Sequence, residues 1–252
     1  PFYFKSADLL TELGVPAYKI ASGDATNIPL IKHVAATGKP VIVSTGGCSM
    51  ADVWRVYEAV PHEQLALLQC ACVYPATPES LNLNVITTYR QAFPDVVIGL
   101  STHSPEWQTS VAAYVLGARI FEHHYTNDRT WKGTDNAFSL TPPMLREFVD
   151  TLALVGKALG SGTKVQSAVE KEPTKERRKS LVWARQVFET GTITRDDIKI
   201  QCPGDGIPPY YLDLIVGKQV AHTTGVDELV SWQDLLIETK DEKEFHAKAV
   251  SV

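Results

Sequence analysis

From Pro1 to Gly160 the apolar residues follow two rhythms that alternate with each other. Short aliphatic and β-branched runs, AYKIAS (17–22), PVIVSTGG (40–47), LALLQCACVYP (65–75), VVIGLSTHS (96–104) and ARIFEHHYT (118–126), read as strands. Each is followed by a segment with helical spacing. Asn27 and Pro29 open one helix through IPLIKHVAAT, which stops at Gly38 with Pro40 beyond it. Ser49 with Asp52 forms a capping-box pattern ahead of ADVWRVYEAV, whose Val53, Val56, Tyr57 and Val60 share a face. Further helices are expected in KSADLLTELG, around NVITTYRQAF, and in SPEWQTSVAAYVLGA, closed by Gly117. A long one, PPMLREFVDTLALVGKAL, is expected to be capped by Thr141 and Pro142 and to end at Gly160.

Repeated strand–helix units imply an all-parallel α/β sheet, either open or closed into a barrel. Polar, reactive residues stand at the end of every strand: Lys19 and Ser22, Ser44 and Thr45, Cys72 and Tyr74, Ser101 and His103, Glu122 and His124. An open sheet would concentrate them at one switch point, and the glycine-rich dinucleotide fingerprint is missing. The pattern fits the rim of a (β/α)₈ TIM barrel. Five strands are legible where eight are required, and the chain opens on Pro1 in a loop and helix. The expectation is therefore a barrel lacking about its first three strands, over residues 1–160. The polar stretch 161–179 reads as a linker. Residues 180–237 read as a small module of short strands and turns, and 238–252 as a charged tail.

Composition narrows the function without deciding it. Hydrophobic residues at 44% and charged residues at 21% are those of an ordinary globular protein, and the net charge of −5 provides no general basic surface for nucleic acid. No apolar run is long enough for a membrane span and no signal peptide opens the chain, so the expected location is the cytoplasm. Cys48, Cys70, Cys72 and Cys202 are expected as reduced thiols. Cys70 and Cys72 are expected as small packing residues near a site, with a Cys-x-Cys metal pair as the alternative.

Candidate chemistry gathers between Val96 and Thr126. Side chains alternate along a strand, so Gly99, Ser101 and His103 share one face, as do Ile120, Glu122 and His124. Neighbouring strands would bring His103 and His124 into one space, a pair suited to a divalent metal with open positions. A lone strand-end histidine is more commonly a hydrogen-bonded structural residue, and His123, on the opposite face, reads as such. Lys19, Ser22, Ser44, Thr45 and Ser101 provide a cation and several hydroxyls for a phosphorylated substrate, although a serine at a strand end is usually a turn residue. Asp24 and Asp135, in loops on the same side, are candidates for binding hydroxyls or moving protons, with turn and capping roles as alternatives.

YKIASGD, PVIVSTGG, LLQCACVYP, GLSTHS, FEHHYT and WKGTDNAFSL, in this order, resemble the sialic acid synthase family, which includes enzymes making legionaminic and pseudaminic acids. The resemblance runs from Pro1 to about Ile237, and the small module resembles the antifreeze-like (SAF) domain of those enzymes. It implies condensation of phosphoenolpyruvate with an N-acyl hexosamine, such as N-acetylmannosamine, to a nine-carbon 2-keto sugar acid with release of phosphate. It implies His103 and His124 as ligands of Mn²⁺ or Mg²⁺, and Asp24 and Asp135 as acidic residues of the catalytic site near the sugar. Lys19, Ser22, Asn27, Ser44, Thr45, Tyr74 and Ser101 would bind substrate. It further implies a homodimer with the small module over the partner's barrel. Asp24 stands where bacterial members commonly have Glu, Cys72 where some have Asn, and Cys202 where many carry an Arg that reaches the partner's sugar site. A non-catalytic binding protein built around the small module is the competing class.

Overall fold

The structure, a computed structural model, describes residues 1–236. Ile237, at the end of the expected module, and the expected tail 238–252 lie outside the described residues. The chain divides into two compact units, Pro1–Gly162 and a second beginning at Thr163.

In the first unit, α1 (Phe4–Glu12) leads into β1 (Tyr18–Ile20), α2 (Ile28–Ala35), β2 (Val41–Ser44), α3 (Met50–Ala59) and β3 (Leu65–Cys70). The short α4 (Pro78–Leu81) and α5 (Val85–Ala92) precede β4 (Val97–Thr102), α6 (Gln108–Leu116), β5 (Ile120–His123) and α7 (Pro142–Leu159). The five strands form one parallel sheet in sequence order, as expected of consecutive strand–helix units. The end signals act as read. Asn27 Oδ1 accepts from Leu30 N, Ser49 and Asp52 form the capping box, and Gly117 ends α6 at φ 114°. Thr141 is the N-cap of α7, but its side chain makes no capping hydrogen bond. All six residues of the central β3 are buried, as in a parallel sheet covered on both faces.

Two side-chain contacts show that the sheet is curled. Ser44 Oγ, on β2, lies 3.4 Å from Glu122 Oε2, on β5, and Lys19 Nζ, on β1, lies 3.1 Å from the same oxygen. In a flat sheet with strands about 4.8 Å apart, β2 and β5 would be about 14 Å from each other, beyond what serine and glutamate side chains can span. The strands therefore stand like the staves of a half-barrel, with Lys19, Ser44 and Glu122 on its concave face. This sheet has five strands among the described residues, against the eight of a closed barrel.

Register explains how the concave face is tiered. Ser44, Leu68, Gly99 and Ile120 pair across the sheet at one level, and Cys70, Ser101 and Glu122 at the next. Gly99 is required at the lower level, because a Cβ there would lie 2.3 Å from Leu68 Cδ2 and 2.4 Å from the Ile120 carbonyl oxygen.

The second unit contains α8 (Lys171–Arg177), β6 (Ser180–Trp183), β7 (Ile198–Gln201), α9 (Leu212–Ile215), β8 (Gln219–Val220) and β9 (Leu235–Leu236). β6 pairs with β7 and β8 with β9, both antiparallel, around a core that includes Leu181, Trp183, Ile215 and Val230. The stretch expected as a linker differs from that reading, since α8 lies within it. Ser167 and Glu170 exchange hydrogen bonds around the 3₁₀ turn Ala168–Glu170, and α8 follows directly on that turn without a side-chain cap or a buried apolar face of its own.

Candidate active site

β4 and β5 end side by side and carry the two histidines out of the same face. The imidazole rings of His103 and His124 lie 5.2 Å apart, centroid to centroid, at 75°. His103 Nδ1 is 2.9 Å from the Ala71 carbonyl oxygen. A carbonyl only accepts, so Nδ1 carries the proton and Nε2 keeps its lone pair. Burial pushes His103 below its ordinary pKa, against the Ala71 hydrogen bond that pulls it up. His124 Nδ1 lies 3.3 Å from Asp135 Oδ2, supplied by the loop after β5. Each ring thus has one nitrogen engaged by an oxygen partner, an arrangement that orients metal-ligating histidines. No group of three or more His, Cys, Asp or Glu with metal-ligand spacing occurs among the described residues. The donor set that fits a divalent cation is the imidazole pair with Asp135 behind it.

Aromatic rings wall this pair. Tyr74, from the loop after β3, stacks on His103 with centroids 3.8 Å apart, and Phe138 lies 5.2 Å from His124. Ala76 N donates to the His103 carbonyl oxygen, tying the Tyr74 loop to the end of β4. A short parallel bridge between Tyr125 and Leu140 holds the loop bearing Asp135 and Phe138 beside β5.

Below the histidines lies the cation and hydroxyl tier. Lys19 pairs with Glu122, and Ser44 Oγ donates to the same carboxylate. Ser22 Oγ accepts from Gly46 N at 2.9 Å, and the Ser22 and Ser101 hydroxyls lie near the Cys70 thiol. Burial raises the Cys70 pKa and those hydroxyls offset part of the rise. A Cβ on Gly46 would meet Cys72 Sγ at 2.5 Å and Cys70 Sγ at 3.1 Å. Both thiols therefore press on one glycine at the rim, and all four cysteines are free.

Three of the expected residues have other or no engagements. Thr45 is buried, with its hydroxyl 2.8 Å from the Leu68 carbonyl and 2.9 Å from the Tyr89 hydroxyl, so it fastens β2 to β3 and α5 and does not face the site. Asn27 uses its side-chain oxygen to cap α2. Asp24 closes a 3₁₀ turn (Ser22–Asp24) after β1, and its carboxylate makes no hydrogen bond or ion pair among the described residues. His123 points to the outer side, 2.8 Å from Ser110 Oγ and edge-on to Phe148. Glu122 was not among the expected site residues, although it is the acid that joins Lys19 to Ser44. Its signal in the sequence was the two-residue step to His124, which puts an acidic side chain on the concave face.

Among known proteins, the model of the NeuB family matches residues 1–164. The chain is similar to N-acetylneuraminate-9-phosphate synthase of Homo sapiens, at 39% identity over 229 residues, covering 89% of this chain and 64% of that protein. It is similar also to N,N'-diacetyllegionaminic acid synthase of Campylobacter jejuni, at 32% identity, covering 91% of this chain and 70% of that one. Among solved structures, the putative spore coat polysaccharide biosynthesis protein E of Chromobacterium violaceum superposes with a TM-score of 0.76 at 26% identity, over 94% of this chain and 72% of that one. The chain thus spans about two thirds of the length of such relatives.

Proposed function

For a chain that belongs to the NeuB family, we propose condensation of phosphoenolpyruvate with an N-acyl hexosamine of the N-acetylmannosamine type, giving a nine-carbon 2-keto sugar acid and phosphate. The observation that carries this reading is the Lys19–Glu122–Ser44 cluster directly below the His103–His124 pair. It unites a cation, hydroxyl donors, a carboxylate and two imidazoles at the carboxyl ends of the strands, where barrel enzymes hold their substrates.

Lys19, Ser22, Ser44 and Ser101 bind the anionic oxygens of phosphoenolpyruvate and direct its methylene carbon toward the histidines. That carbon forms the new bond to the aldehyde carbon, and the aldehyde oxygen takes a proton. Water adds to the former enol carbon, and Glu122 is positioned on the concave face to receive the proton that water loses. The carbon–oxygen bond to phosphate then breaks, the remaining hydroxyl becomes the keto group, and its proton leaves with phosphate. His103 and His124 would hold Mn²⁺ or Mg²⁺, which supplies Lewis-acid polarisation of the aldehyde oxygen when bound. Asp135 orients His124, Asp24 offers a free carboxylate to sugar hydroxyls, and the Tyr74 ring shields the pair from water.

Phosphate release by the complete gene product on mixing phosphoenolpyruvate with N-acetylmannosamine, its 6-phosphate and diacetylated hexosamines tests the reading. Release with none of them, by protein that binds phosphoenolpyruvate, would overturn it. The names of the relatives favour a second version in which the acceptor is the precursor of legionaminic or pseudaminic acid, and the same panel separates the two. The second unit is proposed as the antifreeze-like module of a homodimer, which sedimentation equilibrium would check.

A further inference from the structure

At the amino-terminal ends of β4 and β5, away from the histidines, lies a cleft of ≈ 410 Å³ whose lining includes two charged residues, Arg90 and Arg119. Val97 and Thr102 bound β4, so five residue steps of about 3.3 Å separate this cleft from the chemistry, about 17 Å in all. Phe93, Val96 and Ile98 also line the cleft.

Both guanidinium groups are pinned to the end of α6. Arg90 Nη1 donates to the Leu116 carbonyl at 3.2 Å, and its stem crosses Gly117, where a Cβ would lie 2.4 Å from Arg90 Cδ. Arg119 Nη1 donates to the carbonyls of Tyr114 and Ala118 at 3.1 and 2.8 Å, and its guanidinium lies 4.8 Å over the Tyr114 ring. Cations at a helix carboxyl end are favourable, and helix capping alone would account for the Nη1 bonds. It does not account for two fixed positive charges sharing one cleft without a counter-charge. Neither arginine forms an ion pair among the described residues, and each keeps Nε and Nη2 free of protein acceptors there. Asp95, the nearest acid in sequence to Arg90, is held by His62 Nδ1 at 2.6 Å and by the Tyr57 hydroxyl.

We propose that the Arg90–Arg119 cleft is a binding site for phosphate or a phosphate monoester, separate from the catalytic rim. Two guanidinium groups can each present paired N–H donors to a tetrahedral dianion, whereas a single carboxylate satisfies one such fork. Part of the ordering cost is already met by the α6 carbonyls, which hold both side chains in place.

Inorganic phosphate is titrated calorimetrically into the complete gene product, as wild type, as Arg90→Gln/Arg119→Gln and as Lys19→Gln. The double variant is expected to lose one class of phosphate site, its affinity falling at least about tenfold, while Lys19→Gln retains that class. Identical titrations of wild type and double variant would overturn the proposal. A measurement on the wild type guards against a variant that fails to fold: phenylglyoxal modification mapped by mass spectrometry. Phosphate should slow modification of Arg90 and Arg119 several-fold relative to sodium chloride of equal ionic strength, with Arg146 as the unprotected control. Equal rates would overturn the site. Equal protection by acetate would make it a carboxylate site and overturn the phosphate assignment.

Discussion

His123 and His124 are neighbours in sequence with opposite physical fates. His124 faces the concave side with Asp135 behind it, and His123 is half-buried against Ser110 and Phe148. Burial and the adjacent His124 lower the His123 pKa from 6.5 to about 4. The unfolded chain therefore binds the extra proton between these values, so stability falls as pH drops from about 6.5 to about 4, by about 3 kcal/mol in total. Urea denaturation across that window should show the slope, and His123→Gln, which keeps a hydrogen-bonding group without titrating, should flatten it. An unchanged slope would mean another group titrates. For the inner residue the proposed role gives a graded expectation. His124→Ala should abolish Mn²⁺ binding, followed by electron paramagnetic resonance, whereas Asp135→Asn, which disturbs only the orienting partner, should weaken it about tenfold. Equal binding by His124→Ala would remove that residue from the ligand set. The alternation of strand side chains made this division readable from sequence. The engagement of Thr45 was not readable, because a hydroxyl at a strand end is the same letter whether it faces substrate or a buried tyrosine.

Strand and helix ends were legible wherever a local rule governs them, as with Asn27 before α2, the Ser49–Asp52 box before α3 and Gly117 after α6. α8 was not legible, because its seven residues carry no apolar stripe and it has no side-chain cap, following directly on a capped 3₁₀ turn in a charged stretch. The Lys19–Glu122 contact was equally hidden, since it exists only because β1 and β5 curl toward each other, a long-range consequence of sheet closure. That closeness makes Gly99 a sensitive point. Gly99→Ala would drive a methyl group into the Ile120 backbone and Leu68, and backbone cannot yield as a flexible side chain can. A loss of about 3 kcal/mol is expected, together with weaker binding at the histidine pair, because β4 and β5 would be pushed apart. Gly23→Ala is the control. Nothing lies within 4 Å of its added Cβ, so it should be neutral or stabilise by about 0.5 kcal/mol. Equal thermal midpoints for the two variants would show that β4 and β5 are not tightly apposed.

At the scale of the whole molecule, the two units answer differently to being alone. The first has a core reaching from Ala7 to Ala118, and its sheet ends in β1 on one side and β5 on the other, neither paired to a further sheet strand among the described residues. Unpaired parallel edges beside apolar surface invite pairing with other chains. The second unit holds a separate core around Leu181, Trp183, Ile215 and Val230, and its β-pairs are short and antiparallel. Trp183 is buried there, with Nε1 3.2 Å from Asp234 Oδ2, so its fluorescence reports on that core. Expressed separately, residues 163–252 should give a monomer with one cooperative thermal transition seen by tryptophan emission. Residues 1–162 should self-associate, with light scattering that rises with concentration and dye binding typical of exposed apolar surface. A monomeric, cooperatively melting 1–162 fragment would mean that its edges are protected by a device other than strand pairing. A 163–252 fragment without a transition would show that its core, of the size at which small domains become marginal, depends on the first unit to stay folded.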